Sequence, residues 1–306
     1  MLPNWLLGKS KSKLIEELGG GGGGGGGTSY TATSNPNIFH NPWFSVNQRA
    51  ITSATRNADY IADRWMVYFG ENNATITRND DGNIVMNNSL GTTNITIYQK
   101  RTQTYLKSLV GQKLTASMML SDGTIYSGTI TYTGTGNPVY FENDYVKAHA
   151  PALTASQIIT FSVKRGASVT IKALKLELGE VSTLAMDPRP EYAIELAKCQ
   201  RYFIRLKNND NASDMPLTLG VGVNTLIIFE LPLPSQMRTK PTVSASSVRI
   251  DKPGSTSPTG TPTLTMKNIA GNIARIDVSG FSPTAGGIYS LTLANGGGYI
   301  DFNAEL

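Results

Sequence analysis

Between residues 60 and 180, apolar and polar residues alternate in short runs instead of recurring every three or four positions, which predicts β-strands with one buried and one wet face. The runs are VYF and TIT on either side of residues 70–73, then NITIYQK, LTASMML, TIYSGTITYT, QIITFSV and VTIKALKLEL. In TIYSGTITYT, Ile125, Ile130 and Tyr132 are separated by polar positions and a glycine. Gly, Asn and Asp punctuate the runs, as in DDGN at residues 80–83, and such turns send each strand back along its neighbour. Regular spacing of this kind predicts an antiparallel β-sandwich of jelly-roll type over residues 41–186. A second series, LTLGVGV, TLIIFELPL, PTVSASSVRI, TPTLTMK, ARIDVSG, GIYSLTLA and GYIDFNAEL, predicts a second antiparallel sandwich over residues 201–306. Pro232 and Pro234 cannot donate to a ladder, so their strand ends there or lies on an edge, and DKPGSTSPTGTP at 251–262 reads as a long exposed turn.

Two stretches depart from this pattern towards helix. At residues 187–203, DPRPEYAIELAKCQRYF, Pro188 and Pro190 break what precedes them, and Glu191 opens a run of good helix formers closed by Lys198, the charge order the helix dipole favours. A linker helix over 187–200 follows, packing on the adjoining sheets through Ile194, Ala197 and Arg201 or through Tyr192, Leu196 and Cys199. Residues 1–18 form the other: Trp5, Leu6 and Leu7 open it, three lysines follow at alternate positions, and Leu14, Ile15 and Leu18 share one helical face. A helix this short is marginal alone, so its apolar face wants a partner. Residues 19–27 are all glycine and admit two opposed readings, a flexible tether or, in a symmetric trimer, an extended threefold stalk in which the missing Cβ atoms let three backbones approach. Residues 28–40 are polar and turn-rich and connect this stretch to the first β module.

With 306 residues the chain has material for two cores and a tail. The formal charge of +5 is too weak and scattered to argue for nucleic acid, and charged residues are only 16% of the chain. Cys199 is the single cysteine, so no internal disulfide forms. No run is long enough to cross a bilayer, and the N-terminal apolar residues are too few, and precede the lysines, for a secretory signal. The two histidines, His40 and His149, stand outside any metal-ligand spacing, so no metal is expected. GTGNP at 134–138 and LGVGVN at 219–224 do not continue as phosphate-binding fingerprints, so no nucleotide cofactor is expected either. Glu142 and Asp144 are spaced to share a strand face, as a glycan hydrolase requires of two carboxylates, but solvated turn carboxylates are the ordinary reading. The chain is therefore expected not to be an enzyme.

Several segments, in this order, carry a resemblance: NPWFSVNQR at 41–49, YIADRW at 60–65, LKLELGEVST at 174–183, the Pro-rich break, ELAKCQRYF at 195–203 and MRTKPTV at 237–243. Together they resemble a module of bacteriophage virion proteins, especially the distal parts of tail fibres and related adhesins, over roughly residues 41–243. The resemblance implies a protein of the virion, made in the host cytoplasm, usually a homotrimer, whose β-sandwiches face host-surface polysaccharide. On that reading residues 1–18 anchor the chain to other virion proteins. If the first module binds glycan, aromatic faces stack on sugar rings beside amide and carboxylate groups. The stretch richest in both is 132–145, so Tyr132, Asn137, Tyr140, Phe141, Glu142, Asn143, Asp144 and Tyr145 form the candidate glycan surface, with strand core or an intersubunit contact as the plainer reading. The alternative function is a structural or decoration protein, such as a head fibre, tail-tip or baseplate component, that contacts mainly other virion proteins.

Overall fold

A computed structural model describes residues 34–70, 73–252 and 262–305. The expected anchor residues Trp5, Leu6, Leu7, Leu14, Ile15 and Leu18, the glycine run and most of the 251–262 turn lie outside the described residues. The described chain is mainly β, its sheets are antiparallel, and it divides into two compact units between Glu195 and Leu196.

The first unit runs β1 (Ser53–Ala54), β2 (Tyr60–Ala62), β3 (Trp65–Tyr68), β4 (Thr75–Arg78), β5 (Ile84–Asn87) and β6 (Ile95–Lys100). After helix α1 (Gln103–Ser108) come β7 (Lys113–Leu120), β8 (Ile125–Thr131), β9 (Val139–Glu142), β10 (Val146–His149), β11 (Gln157–Val163) and β12 (Ser168–Leu178). They make two six-stranded sheets, ordered β1-β4-β5-β12-β7-β8 and β2-β3-β6-β11-β10-β9. One core takes side chains from both, among them Ile76, Leu114 and Ile171 from the first and Trp65, Ile97 and Phe161 from the second. The period-2 alternation is what puts these residues on a common side. Gly128, in the middle of TIYSGTITYT, is a close-approach residue and not a turn: a Cβ there would stand 1.8 Å from the carbonyl oxygen of Tyr140 on β9. Helix α1 was not anticipated. Its six residues are too few to show a helical period, and it starts on a cap in which Thr102 Oγ1 accepts the Tyr105 N–H at 3.3 Å.

The C-terminal half of β12 is buried on both sides, and the N-terminal segment fills the edge that β5 leaves open. β5 pairs with β12 only from Ser168 to Ile171. Beyond that, residues 37–42 take over its place: Ile38 N–H donates to the Leu176 carbonyl at 2.7 Å and Leu174 N–H to the Pro42 carbonyl at 2.9 Å. The Asn37 side chain behaves as an extra strand residue, donating to the Leu174 carbonyl and accepting from the Leu176 N–H. The segment then turns at Asn41, which is fully buried with φ 53°. Its amide donates to the carbonyls of Val46 (2.8 Å) and Asp63 (2.9 Å) and accepts the Val46 N–H (3.0 Å), while its own carbonyl accepts Trp65 Nε1–H at 2.8 Å. Trp65 sits between Phe39 and Phe44, ring centroids 5.0 and 5.5 Å away, so the NPWF corner and the YIADRW strand are one packed piece. Asp63 below it accepts from Gln48 and Arg49, and burial raises its carboxyl above the usual range against the pull of Arg49.

Helix α2 (Tyr192–Gln200) forms where the sequence predicts it, but Tyr192 and Ile194 are 53% and 54% exposed and Ala197 is exposed too. The face of Ile194 and Ala197 is therefore exposed, and of the face of Tyr192, Leu196 and Cys199 only Cys199 is fully buried. The buried positions are Glu195 and Cys199, because Glu195 Oε2 accepts the Asn41 N–H at 2.6 Å. A buried carboxylate held by a backbone donor has therefore set the rotation of the helix.

The second unit contains β13 (Phe203–Lys207), β14 (Met215–Val223), β15 (Leu226–Pro232), β16 (Thr242–Ser246) and β17 (Val248–Asp251). It continues with β18 (Thr263–Ala270), β19 (Ile273–Ser279), β20 (Ile288–Leu293) and β21 (Tyr299–Asn303). A three-stranded sheet, β13-β21-β16, and a six-stranded one, β17-β20-β14-β15-β19-β18, contribute to one core that includes Ile204, Phe229, Ile276, Leu291 and Phe302. PTVSASSVRI, one run in the sequence, is two strands in different sheets: the chain switches between them at Ser247, whose φ is 52°.

Replacing Asn41 with Ala removes three buried hydrogen bonds and leaves a Cβ-bearing residue without a polar side chain at positive φ. We expect Asn41→Ala to cost about 3–5 kcal/mol of unfolding free energy, read from the denaturant midpoint of the first unit.

Candidate functional site

The eight residues singled out between 132 and 145 do not form one surface. Tyr132 and Tyr140 belong to the core, and Phe141 packs against it with its ring 6.4 Å from Phe161. Asn143 holds a turn, its Oδ1 accepting the N–H groups of Tyr145 (2.8 Å) and Val146 (2.9 Å). Asn137, Asp144 and Tyr145 are exposed on loops, and only Glu142 reaches a sheet face. The physical reason lies in the junction of β8 and β9. There the two sheets meet edge to edge, so side chains from both are drawn into the seam. Burial raises the Tyr140 phenol above its ordinary range, with Tyr132 alongside adding to the effect, and neither hydroxyl has a hydrogen-bond partner among the described residues.

A different set of residues is brought together on the outer side of the second sheet. Strand register places Tyr60, Met66, Tyr98, Thr160, His149 and Val139 in one row across all six strands. Tyr68, Thr96, Ser162, Lys147 and Glu142 make the next row. Met66 and Tyr98 are buried yet lie outside the core cluster, as expected of side chains on the side away from the other sheet. The middle of the rows is buried, at Tyr98, Thr160 and Ser162, whereas Tyr68, Val139 and Glu142 at the flanks are exposed.

Polar groups on this face are tied sideways to one another. Thr96 and Ser162 share a hydroxyl hydrogen bond of 2.9 Å, and Thr160 Oγ1 lies 2.9 Å from His149 Nδ1. Glu142 is clamped between Lys164 Nζ (3.0 Å) and Lys147 Nζ (3.2 Å), and the hydrogen bonds from those two lysines, Lys164 first, hold its carboxyl below the usual range. Burial, and then the nearby Lys147 charge, lowers the imidazole of His149, so the ring is neutral at pH 7. His149 is the last residue of β10. The rows therefore combine one exposed ring, Tyr68, with buried hydroxyls, a neutral imidazole and a compensated ion cluster on paired strands, groups whose chemistry is that of stacking and hydrogen bonding to a neutral polyhydroxylated ligand. The signal for it was in the sequence as the polar half of NITIYQK and QIITFSV, but which strands lie side by side is a matter of topology.

The outer side of the first sheet is different, because the chain covers it. Ser117 bonds Ser182, Thr115 bonds the Gly179 carbonyl and Thr129 bonds the Glu180 carbonyl, the three partners coming from the stretch that follows β12, while Thr115 and Thr129 also bond each other. Further along, Lys175, fully buried, places Nζ 2.6 Å from Asp187 Oδ1, 2.7 Å from Ser34 Oγ and 2.8 Å from Thr183 Oγ1. Glu177, also fully buried, accepts the N–H and hydroxyl of Thr183, and burial raises its carboxyl above the usual range. Among the described residues no three of His, Cys, Asp and Glu are grouped as metal ligands, and no helix is long and apolar enough to cross a membrane. Comparison with family models, curated proteins and solved structures finds no match to this chain.

A buried hydroxyl without a partner costs about 1–3 kcal/mol. Tyr140→Phe is therefore expected to leave the unfolding free energy unchanged or to raise it by up to about 1 kcal/mol, measured by denaturant titration. A loss of more than that would place an ordered water or ligand on the phenol.

Proposed function

We propose that the protein is a non-enzymatic appendage or adhesin of a phage virion that binds host cell-surface glycan through the outer face of the second sheet in its first unit. The observation that carries this is the difference between two faces of one unit: the first sheet's outer side is occupied by residues 179–187, while the second carries two transverse rows of aromatic, hydroxyl and charged side chains. On this reading the unit is a jelly-roll sandwich and the buried middle of the rows is the floor of a shallow trough. Tyr68 supplies the exposed ring face, and His149 and Glu142, with Thr160 beside them, supply hydrogen-bond partners for sugar hydroxyls. The segments NPWFSVNQR, LKLELGEVST and ELAKCQRYF, which resemble those of virion appendages, give the setting. The site moves from the 132–145 loops to a strand face, and of the earlier candidates Glu142 alone remains in it.

The experiment is titration of the full-length protein with host-envelope polysaccharide by calorimetry. Tyr68→Ala and His149→Ala are each expected to weaken binding about tenfold, or about 1.4 kcal/mol, and Tyr145→Ala to leave it unchanged. If wild type binds no host polysaccharide, or Tyr145→Ala alone abolishes binding, this face is not the site.

The reading also includes a homotrimer, and the second unit offers an observation for it. Leu219, Val221 and Val223 on β14 are 62%, 44% and 43% exposed, and Val221 is flanked across the sheet by Ile288 and Ile228. Arg249, Asp251 and Asp214 are ion-paired on one side of this apolar centre, and Arg275 and Asp277 on the other, the apolar-core and polar-rim pattern of a protein interface. Because both rims carry both signs, we assign further copies of this chain as the occupant. Light scattering is expected to give a trimer for the full-length protein and a smaller species for Leu219→Ser/Val221→Ser. A monomeric wild type would favour the structural reading, in which the patch docks on other virion proteins.

A further inference from the structure

The ion cluster outside β12 is a group of reactive side chains that neither the core nor the proposed glycan face uses. A primary amine and a carboxyl are in contact, with Lys175 Nζ 2.6 Å from Asp187 Oδ1, and a second carboxylate, Glu177, lies 3.6 Å from the same nitrogen. The side chains of Lys175 and Glu177 are wholly buried and that of Asp187 is 12% exposed. We infer that this chain closes an intramolecular amide cross-link between Lys175 Nζ and Asp187 Cγ, with Glu177 as the proton carrier.

The reaction is a condensation and needs no oxidant, reductant or co-reactant. The Lys175 ammonium passes a proton to Glu177, and the freed lone pair attacks Asp187 Cγ. A Cγ–O bond then breaks, and the oxygen leaves as water carrying two protons that began on Nζ, one of them delivered by Glu177, which returns to its starting state. The products are one N–C bond and one water. Three features of the cluster fit these roles. Glu177 lies within reach of the same nitrogen, and burial, with the nearby Asp187 charge, raises its carboxyl so that it takes up a proton more readily than an ordinary glutamate. The Ser34 hydroxyl donates to Asp187 Oδ1, where negative charge gathers in the tetrahedral intermediate. Thr183 Oγ1 and Ser34 Oγ, both in contact with Nζ, hold the nitrogen against the carboxyl.

In bulk water an amine and a carboxylate stay separate ions. Here two effects reverse the preference. Fixing the pair in contact gives an effective concentration that for well-oriented intramolecular reactions reaches about 10⁵–10⁸ M. Burying one ammonium among two carboxylates carries a desolvation penalty that a neutral amide does not. The bond ties the doubly buried end of β12 to the residues that lead into α2. The inference does not depend on the identity of any ligand of the second sheet.

The test is the intact mass of the purified full-length protein after denaturation, followed by tandem mass spectrometry of its peptides. The expected result is a mass one water below that of the sequence, with a branched peptide joining Lys175 to Asp187. Glu177→Gln, nearly isosteric, should fold and keep the full sequence mass, and Asp187→Ala should keep it whether or not it folds. Wild-type protein at the full sequence mass, or a water loss that persists in Asp187→Ala, overturns the cross-link. A Glu177→Gln protein linked as completely as wild type overturns the role given to Glu177.

Discussion

Burial of β12 on both sides is the constraint from which much of the first unit follows. A strand with water on one side tolerates Lys175 and Glu177 at alternate positions, since each charge can remain hydrated. Once the chain covers that side, each charge must be met by a partner, because an uncompensated buried ion costs several kcal/mol. Ser34, Thr183 and Asp187 are the partners, and they come from the segments on either side of the strand in space. The same covering fixes the segment at residues 37–42 along the strand edge and so positions Asn41, which in turn anchors Trp65 and Glu195. One polar pattern in one strand thereby organises the entry to the unit, its aromatic cluster and the rotation of the helix that leaves it.

The two outer faces of the first unit differ in how their polar side chains are met. The two faces are built from the same alternation and similar residues, with Thr and Ser prominent on both. On the first sheet those hydroxyls are spent on carbonyls and hydroxyls of residues 179–182. On the second they bond to each other and to His149, and Thr160 and Ser162 are themselves buried. The glycan reading rests on this asymmetry, and the cross-link reading rests on its other half, so the two proposals stand on separate groups of atoms.

The fold class was largely legible. Alternation with Gly, Asn and Asp turns marked nearly all of the longer strands, and the Pro break before a run of helix formers marked α2. What escaped were features whose cause lies elsewhere in the chain. Helix α1 is too short to show a period, and Ser247 divides an unbroken β pattern between two sheets through its backbone angle alone. Apolar spacing in α2 pointed to Tyr192 and Ile194, but its rotation obeys a hydrogen bond to Asn41, more than 150 residues away in sequence.

The candidate site shows the same division. Tyr132, Tyr140 and Phe141 are close in sequence to Asn143, Asp144 and Tyr145, and proximity in sequence made them look like one surface. In a strand, however, neighbours point to opposite sides, and at the β8–β9 seam Tyr132, Tyr140 and Phe141 turn inward to the core. The row Tyr60–Met66–Tyr98–Thr160–His149–Val139 draws on strands separated by up to a hundred residues, and only their hydrogen-bonded order makes it a row. By itself the sequence determined that the chain is β-rich, where its strands alternate and where one helix interrupts them, because those properties depend on local periodicity and turn chemistry. Which face is covered, which charges are buried together and which side chains share a surface were decided by the tertiary structure, because each depends on strand order and register across long separations.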